Sequence, residues 1–93
     1  MSFSFEWDET KSRNNFKKHK VNFEEAKTVF NDSMSITIAD NLHSDIEKRY
    51  IDIGLSSKGR IIVVVYTEKN SIIRLISSRK GTKMERRIYE DAY

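Results

Sequence analysis

The sequence predicts an α+β fold: an antiparallel β-sheet of four to five strands, two N-terminal helices packed on one face, and a C-terminal helix. Three observations predict it. The run Ile61–Tyr66 is apolar on both alternating faces and rich in β-branched residues, which marks an interior strand. Short polar segments, Ser57-Lys58-Gly59 before it and Thr67–Ser71 after it, turn the chain back into neighbouring strands. Helix-capping patterns stand at Asp8, at Asn22 with Glu25, and at Thr82 with Glu85.

Taken in order, Phe3, Phe5 and Trp7 alternate with polar residues and predict a first short strand. Asp8 caps a helix through about His19, with Asp8 and Glu9 at its start and Lys17, Lys18 and His19 at its end, the order a helix dipole favours. Phe16 is its one large apolar residue, so Trp7, Phe16 and the segment that follows are expected to hold it down. Asn22 opens a second helix, whose Phe23, Ala26, Val29 and Phe30 share a face. Met34, Ile36 and Ile38 form a second strand, and Asp40–Glu47 reads as a loop. Arg49–Ser56, Ile61–Tyr66 and Ile72–Ser78 follow as strands joined by short turns. A basic helix runs from Lys83 to about Asp91. The order β-α-α-β-β-β-β-α with three short connections implies a meander.

Composition bounds the rest. Residues 1–93 make one domain with one core, at 38% hydrophobic content. No cysteine is present, which excludes disulfides and thiolate metal sites. The acidic start lacks the pattern of a signal peptide, and no stretch is long enough to span a bilayer, so a cytoplasmic protein is expected. The net charge of +3 is unevenly spread: residues 1–56 hold 8 Lys/Arg and 10 Asp/Glu, residues 57–93 hold 9 and 4. A basic half fits an anionic partner such as RNA or DNA, and equally a solvated surface.

Several stretches resemble the BrnT toxins of type II toxin–antitoxin systems. They are F-E-W-D-E-T-K at Phe5–Lys11, K-H-K-V-x-F-E-E-A at Lys18–Ala26, I-G-L-S-S-K-G-R at Ile53–Arg60, V-V-V-Y-T-E at Val63–Glu68, and I-x-R-x-I-S-S-R-K-x-T-x-x-E-R-R-x-Y at Ile72–Tyr89. The resemblance covers nearly the whole chain. It implies a RelE-like fold, metal-independent ribonuclease activity that blocks translation, and no cofactor. It also implies a BrnA-type antitoxin with a ribbon-helix-helix domain, a heterotetrameric complex, and operator DNA bound only through that antitoxin. Lys20, Ser33 and Gly81 depart from the family pattern, which favours Gly, Pro and Ala there.

RelE-like cleavage uses the RNA 2′-hydroxyl as nucleophile. It requires a base, an acid, and cations for charge building on the phosphoryl oxygens. Arginine suits the last task, because its planar fork matches phosphate and stays charged. The catalytic candidates are Arg79, Arg74, Lys80, Glu68 and His43. Arg49, Arg60, Tyr50 and Lys83 are the RNA-binding candidates. A second reading keeps the same surface as a non-catalytic RNA- or protein-binding module. The arginines also have a structural alternative, pairing with Asp52, Glu68 or Glu85, and Arg79 in particular with Glu85 or Glu90. His43 in its acidic loop does not make a metal site by spacing alone.

Overall fold

In the computed structural model, which describes residues 3–43 and 47–92, five strands form one sheet in the order β1-β5-β4-β3-β2. They are β1 (Ser4–Glu6), β2 (Ile36–Ala39), β3 (Arg49–Leu55), β4 (Ile61–Lys69) and β5 (Ile72–Lys80). The strand β4 sits at the centre, as its two apolar faces require: Ile62, Val63 and Val64 are all buried. Strands β2 to β5 are an antiparallel meander, and β1 pairs in parallel with β5. The sheet is therefore mixed rather than wholly antiparallel. Short turns dictate the direction of the meander strands, whereas β1 reaches β5 after two helices and three strands, so no turn dictates its direction.

Helix α1 (Glu9–His19) is capped by Asp8, whose carboxylate accepts from the Thr10 and Lys11 N–H groups. It ends at Lys20, which has φ 62° and ψ 26° and donates its N–H to the Phe16 carbonyl. Helix α2 (Phe23–Lys27) continues as a 3₁₀ turn through Thr28–Asn31. Val21, Phe23, Ala26 and Val29 pack on Ile62, Val64, Tyr66, Ile73 and Leu75 to form the core, with Phe5, Trp7, Phe30 and Tyr50 at its margin. Gly54 lets this layer come close, since a Cβ there would stand 2.7 Å from Val29 Cγ1. Tyr66 is core with a polar tip; its hydroxyl donates to Asp52 Oδ1 at 2.8 Å. Burial pushes the Asp52 carboxyl above its ordinary pKa, against the opposing hydrogen bonds from Tyr66 and Thr37.

Two local expectations are corrected. Phe16 is 44% exposed and does not hold α1; the segment that follows does. The helix is tied down by polar bonds instead: Asn15 Nδ2 donates to the Val21 and Ser78 carbonyls, both at 2.7 Å, and Ser12 Oγ accepts from the Phe23 N–H at 3.0 Å. These satisfy backbone groups that packing would otherwise strand. The capping box at Asn22 is half formed. Asn22 accepts from the Glu25 N–H, but the Glu25 side chain turns away to bind Ser56 and Arg60. The box on α3 (Lys83–Asp91) is complete, with Thr82 and Glu85 each accepting from the other's backbone.

Candidate nucleic-acid interface

Arg74 and Arg79 are five residues apart on β5. That odd spacing would put them on opposite faces of a regular strand. The ladder pairs Tyr66 with Leu75 and Val65 with Ser77, skipping Ile76, so β5 carries a β-bulge there. The bulge moves Arg74, Ser77 and Arg79 into register with Thr67, Val65 and Val63, on the face turned away from α1 and α2. Arg49 joins them, because it pairs with Thr67 on β3's side. The row Arg49–Thr67–Arg74–Glu6 crosses the sheet, with Thr67 buried between two arginines.

Arg74 and Arg79 are four ladder steps apart, roughly 13 Å at the rise of a strand. Ile51 and Val65 lie on the rung between them, Ile53 and Val63 share the rung of Arg79, and each arginine faces a carboxylate, Glu6 for Arg74 and Glu85 for Arg79. Arg74 lies 3.3 Å from Glu6 Oε1, and both side chains are about half exposed. Water and salt screen such a pair, so Arg74 remains an available charge.

Arg79 is held more firmly. Its Nη1 and Nη2 donate to the two oxygens of Glu85 at 2.7 and 2.8 Å. Glu85 Oε1 also accepts from the Thr82 N–H at 2.8 Å. One carboxylate thus closes the cap of α3 and fixes the guanidinium at the end of β5. The Arg79 hydrogen bond, against the opposing effect of burial, holds the Glu85 carboxyl down at about 2. Of the pairings anticipated for Arg79, the one with Glu85 is present.

The other candidates fall elsewhere. Arg60 is on the helix side, where its Nε donates to Glu25 Oε2 at 3.0 Å and its Nη2 binds Glu25 Oε1. Its Nη2 also donates to the Lys20 carbonyl at 2.9 Å. Burial raises the Glu25 pKa, but hydrogen bonds from Arg60 and Ser56 outweigh it and leave the carboxyl below its ordinary value. Tyr50 stacks on Tyr66, ring centroids 5.7 Å apart, again on the helix side. Glu68 shares that side of β4 and stands at its exposed end. Lys83 is the exposed first residue of α3, and Lys80 follows Arg79 on the other side of the strand. His43 closes a 3₁₀ turn, and its side chain lies outside the described residues. The structure therefore brings Arg49, Arg74 and Arg79 to one face and separates Arg60, Tyr50 and Glu68 from them. The bulge that joins Arg74 to Arg79 leaves a weak trace in sequence, the polar-apolar order L-I-S-S-R, in which neither alternation runs through.

The face turned away from α1 and α2 thus carries Arg49, Arg74 and Arg79 around the buried pair Ile53 and Val63. The family model described as the ribonuclease toxin BrnT of type II toxin–antitoxin systems matches residues 7–85. The chain belongs to that family. Its structure is similar to that of the Brucella abortus ribonuclease toxin BrnT, with a TM-score of 0.66 and 21% identity. The match covers 88% of this chain and 100% of that one, and shows the shared fold. No curated protein matches the chain in sequence. Among the described residues, no helix is long and apolar enough to cross a membrane.

Proposed function

We propose that this chain, as a single domain, is the toxin of a type II toxin–antitoxin pair and cleaves RNA without a metal at the sheet face turned away from α1 and α2. The observation that carries the reading is the bulge at Ile76, which sets Arg74 and Arg79 on one face of a ribonuclease-family fold. In the reaction, the 2′ oxygen bonds to phosphorus as the bond to the 5′ oxygen breaks. The 2′ proton passes to a base, and the departing oxygen takes one from an acid. The products are a 2′,3′-cyclic phosphate and a 5′-hydroxyl. Arg79, oriented by Glu85, stabilises the charge on the phosphoryl oxygens. Arg74 and Arg49, about four ladder steps away, hold the neighbouring backbone. Glu68 projects from the opposite side of the sheet, so the arginines carry this assignment.

In this reading translation stops because RNA is cut, and the setting is the cytoplasm. A BrnA-type ribbon-helix-helix antitoxin neutralises the toxin in a heterotetramer and alone contacts operator DNA. The type II family supports an antitoxin partner. The test is purified protein with a labelled RNA in EDTA. Fragments ending in 2′,3′-cyclic phosphate, together with growth arrest on induction, are expected. Intact RNA, or cleavage that appears only with added divalent cation, overturns the reading.

A further inference from the structure

A second cationic feature lies beyond Arg79, at the end of the sheet. A groove of about 560 Å³ runs between the β3–β4 turn and α3. Its walls carry Arg60, Lys80 and Arg86, and its apolar surface is Leu55 and Ile61 with the ring of Tyr89. Glu90 adds one carboxylate. Glu25 balances Arg60, so Lys80 and Arg86 against Glu90 leave a net positive charge on the groove. Arg86 and Tyr89 follow the stretch matched by the family model, residues 7–85.

Tyr89 is set in place rather than left to swing. Its hydroxyl donates to Asp32 Oδ2 at 2.6 Å, and Asp32 in turn accepts from the Leu55 N–H at 2.8 Å. The ring therefore stands as a fixed wall beside Leu55, which is 42% exposed. Gly81 keeps the space next to it clear, since a Cβ there would stand 3.3 Å from Ile61 Cγ2 and 3.6 Å from Arg86 Cγ. A fixed aromatic ring, an apolar floor and two adjacent cations are what one nucleotide of single-stranded RNA requires. The base takes the ring and floor, and its phosphate takes the cations.

We propose that this groove is an RNA subsite that holds one unpaired nucleotide next to Arg79, its base against Tyr89 and Leu55 and its phosphate between Lys80 and Arg86. The proposal rests on the ribonuclease reading above. Arg79 and Lys80 are consecutive and point to opposite sides of β5. Leu55 and Ile61 share the sheet face of Arg79, and Lys80 is on the other, so the groove lies at the end of the sheet directly beyond Arg79. The groove adds affinity and register for longer RNA and takes no part in the chemistry.

The test uses the full chain and a fluorescent, non-cleavable 2′-O-methyl RNA 12-mer, with binding followed at several salt concentrations. Arg86→Glu is expected to weaken binding about tenfold and to lower the salt slope by about one, with Arg86→Lys restoring most of both. Tyr89→Phe and Tyr89→Leu both lose the bond to Asp32, but only the second loses the ring. Tyr89→Leu is expected to bind roughly tenfold more weakly than Tyr89→Phe. With the all-ribose 12-mer, Arg86→Glu raises KM and leaves kcat unchanged. Equal binding by Arg86→Glu and the native chain, or equal binding by the two Tyr89 variants, overturns the proposal. So does an Arg86→Glu protein that binds RNA normally and fails to bind the antitoxin, which makes the groove a protein-docking site. If the variants show these binding differences and the native chain cuts no RNA, the subsite stands and the ribonuclease reading falls.

Discussion

Glu85 accepts from both terminal nitrogens of Arg79, at 2.7 and 2.8 Å, and the same carboxylate caps α3 through the Thr82 N–H. The pair joins a structural role to the proposed chemical one. Arg79→Ala is expected to lower RNA cleavage by about 100-fold or more, the scale of losing one fixed donor to a developing anion. It also strips Glu85 of its partner, so the thermal midpoint falls with it. Glu85→Gln separates the roles: it keeps the arginine and its charge, weakens the clamp, and is expected to lose stability while lowering cleavage less than Arg79→Ala does. Cleavage rates and melting curves on the same preparations check this. A folded Arg79→Ala protein that cuts RNA at the native rate would remove Arg79 from the mechanism.

The same pair sets a pH dependence. The folded Glu85 carboxyl, at about 2, lies below its ordinary 4.5. An acid whose pKa is depressed by folding binds protons more readily when unfolded, so its contribution is complete above about pH 4.5 and is lost as pH falls toward 2. Glu25 and Asp32 are lowered as well and act in the same direction. Asp52, raised by burial, opposes them. Urea midpoints from pH 7 to pH 2.5 should fall steeply for the native chain and less steeply for Glu85→Gln. After allowance for the exposed Arg79 side, the two should differ by about 1–2 kcal/mol at pH 7 and converge in acid. A constant difference across the range would assign the effect to packing.

Features with a local cause were legible in the sequence. The caps at Asp8 and Thr82, the interior strand at Ile61–Tyr66 and the reversal at Lys20 each depend on residues a few positions apart. Contacts between distant segments were not. The parallel pairing of β1 with β5 leaves no turn signature, and Asn15 gives no sign that it will bind Ser78, 63 residues away. For the site, the pairing of Arg79 with Glu85 was among the alternatives, since six residues across a capped turn is short range. Uniting Arg74 with Arg79 required the bulge at Ile76. Separating Arg60 required knowing that Glu25 would leave its own cap to meet it.

Lys20 offers a test of backbone strain alone. It closes α1 in the left-handed region, with φ 62°, where the Cβ of a non-glycine residue crowds the carbonyl. Its exposed side chain sits 6.0 Å from the Phe16 ring centroid, a weak contact on the surface. Lys20→Gly relieves the strain and keeps the carbonyl that accepts from Arg60. It is expected to stabilise the fold by about 1 kcal/mol, which raises the thermal midpoint by about 4–8 °C in a domain of this size. A denaturant midpoint equal to or below that of the native chain would show that Lys20 is held without strain.

Arg60 and Glu25 make the last prediction, because their pairing decides whether Arg60 serves RNA or the fold. The Glu25 side chain is 1% exposed and Arg60 is 30% exposed. Glu25 also accepts from the Ser56 hydroxyl at 2.6 Å, and Arg60 donates to the Lys20 carbonyl. The pair thus ties the end of α1, the start of α2 and the β3–β4 turn together. Removing either member leaves a buried charge or its partners unsatisfied. Arg60→Ala is expected to cost about 3–5 kcal/mol, because it strands the carboxylate, and Glu25→Ala a comparable amount. Replacing both by methionine fills the space without a charge and should cost less than the sum of the single changes, a coupling that a double-mutant cycle measures. Cleavage by Arg60→Ala, corrected for the fraction folded, is expected to stay close to native, in contrast to Arg79→Ala. An Arg60→Ala protein of native stability that has lost RNA binding would reverse the assignment and place Arg60 among the groups that contact phosphate.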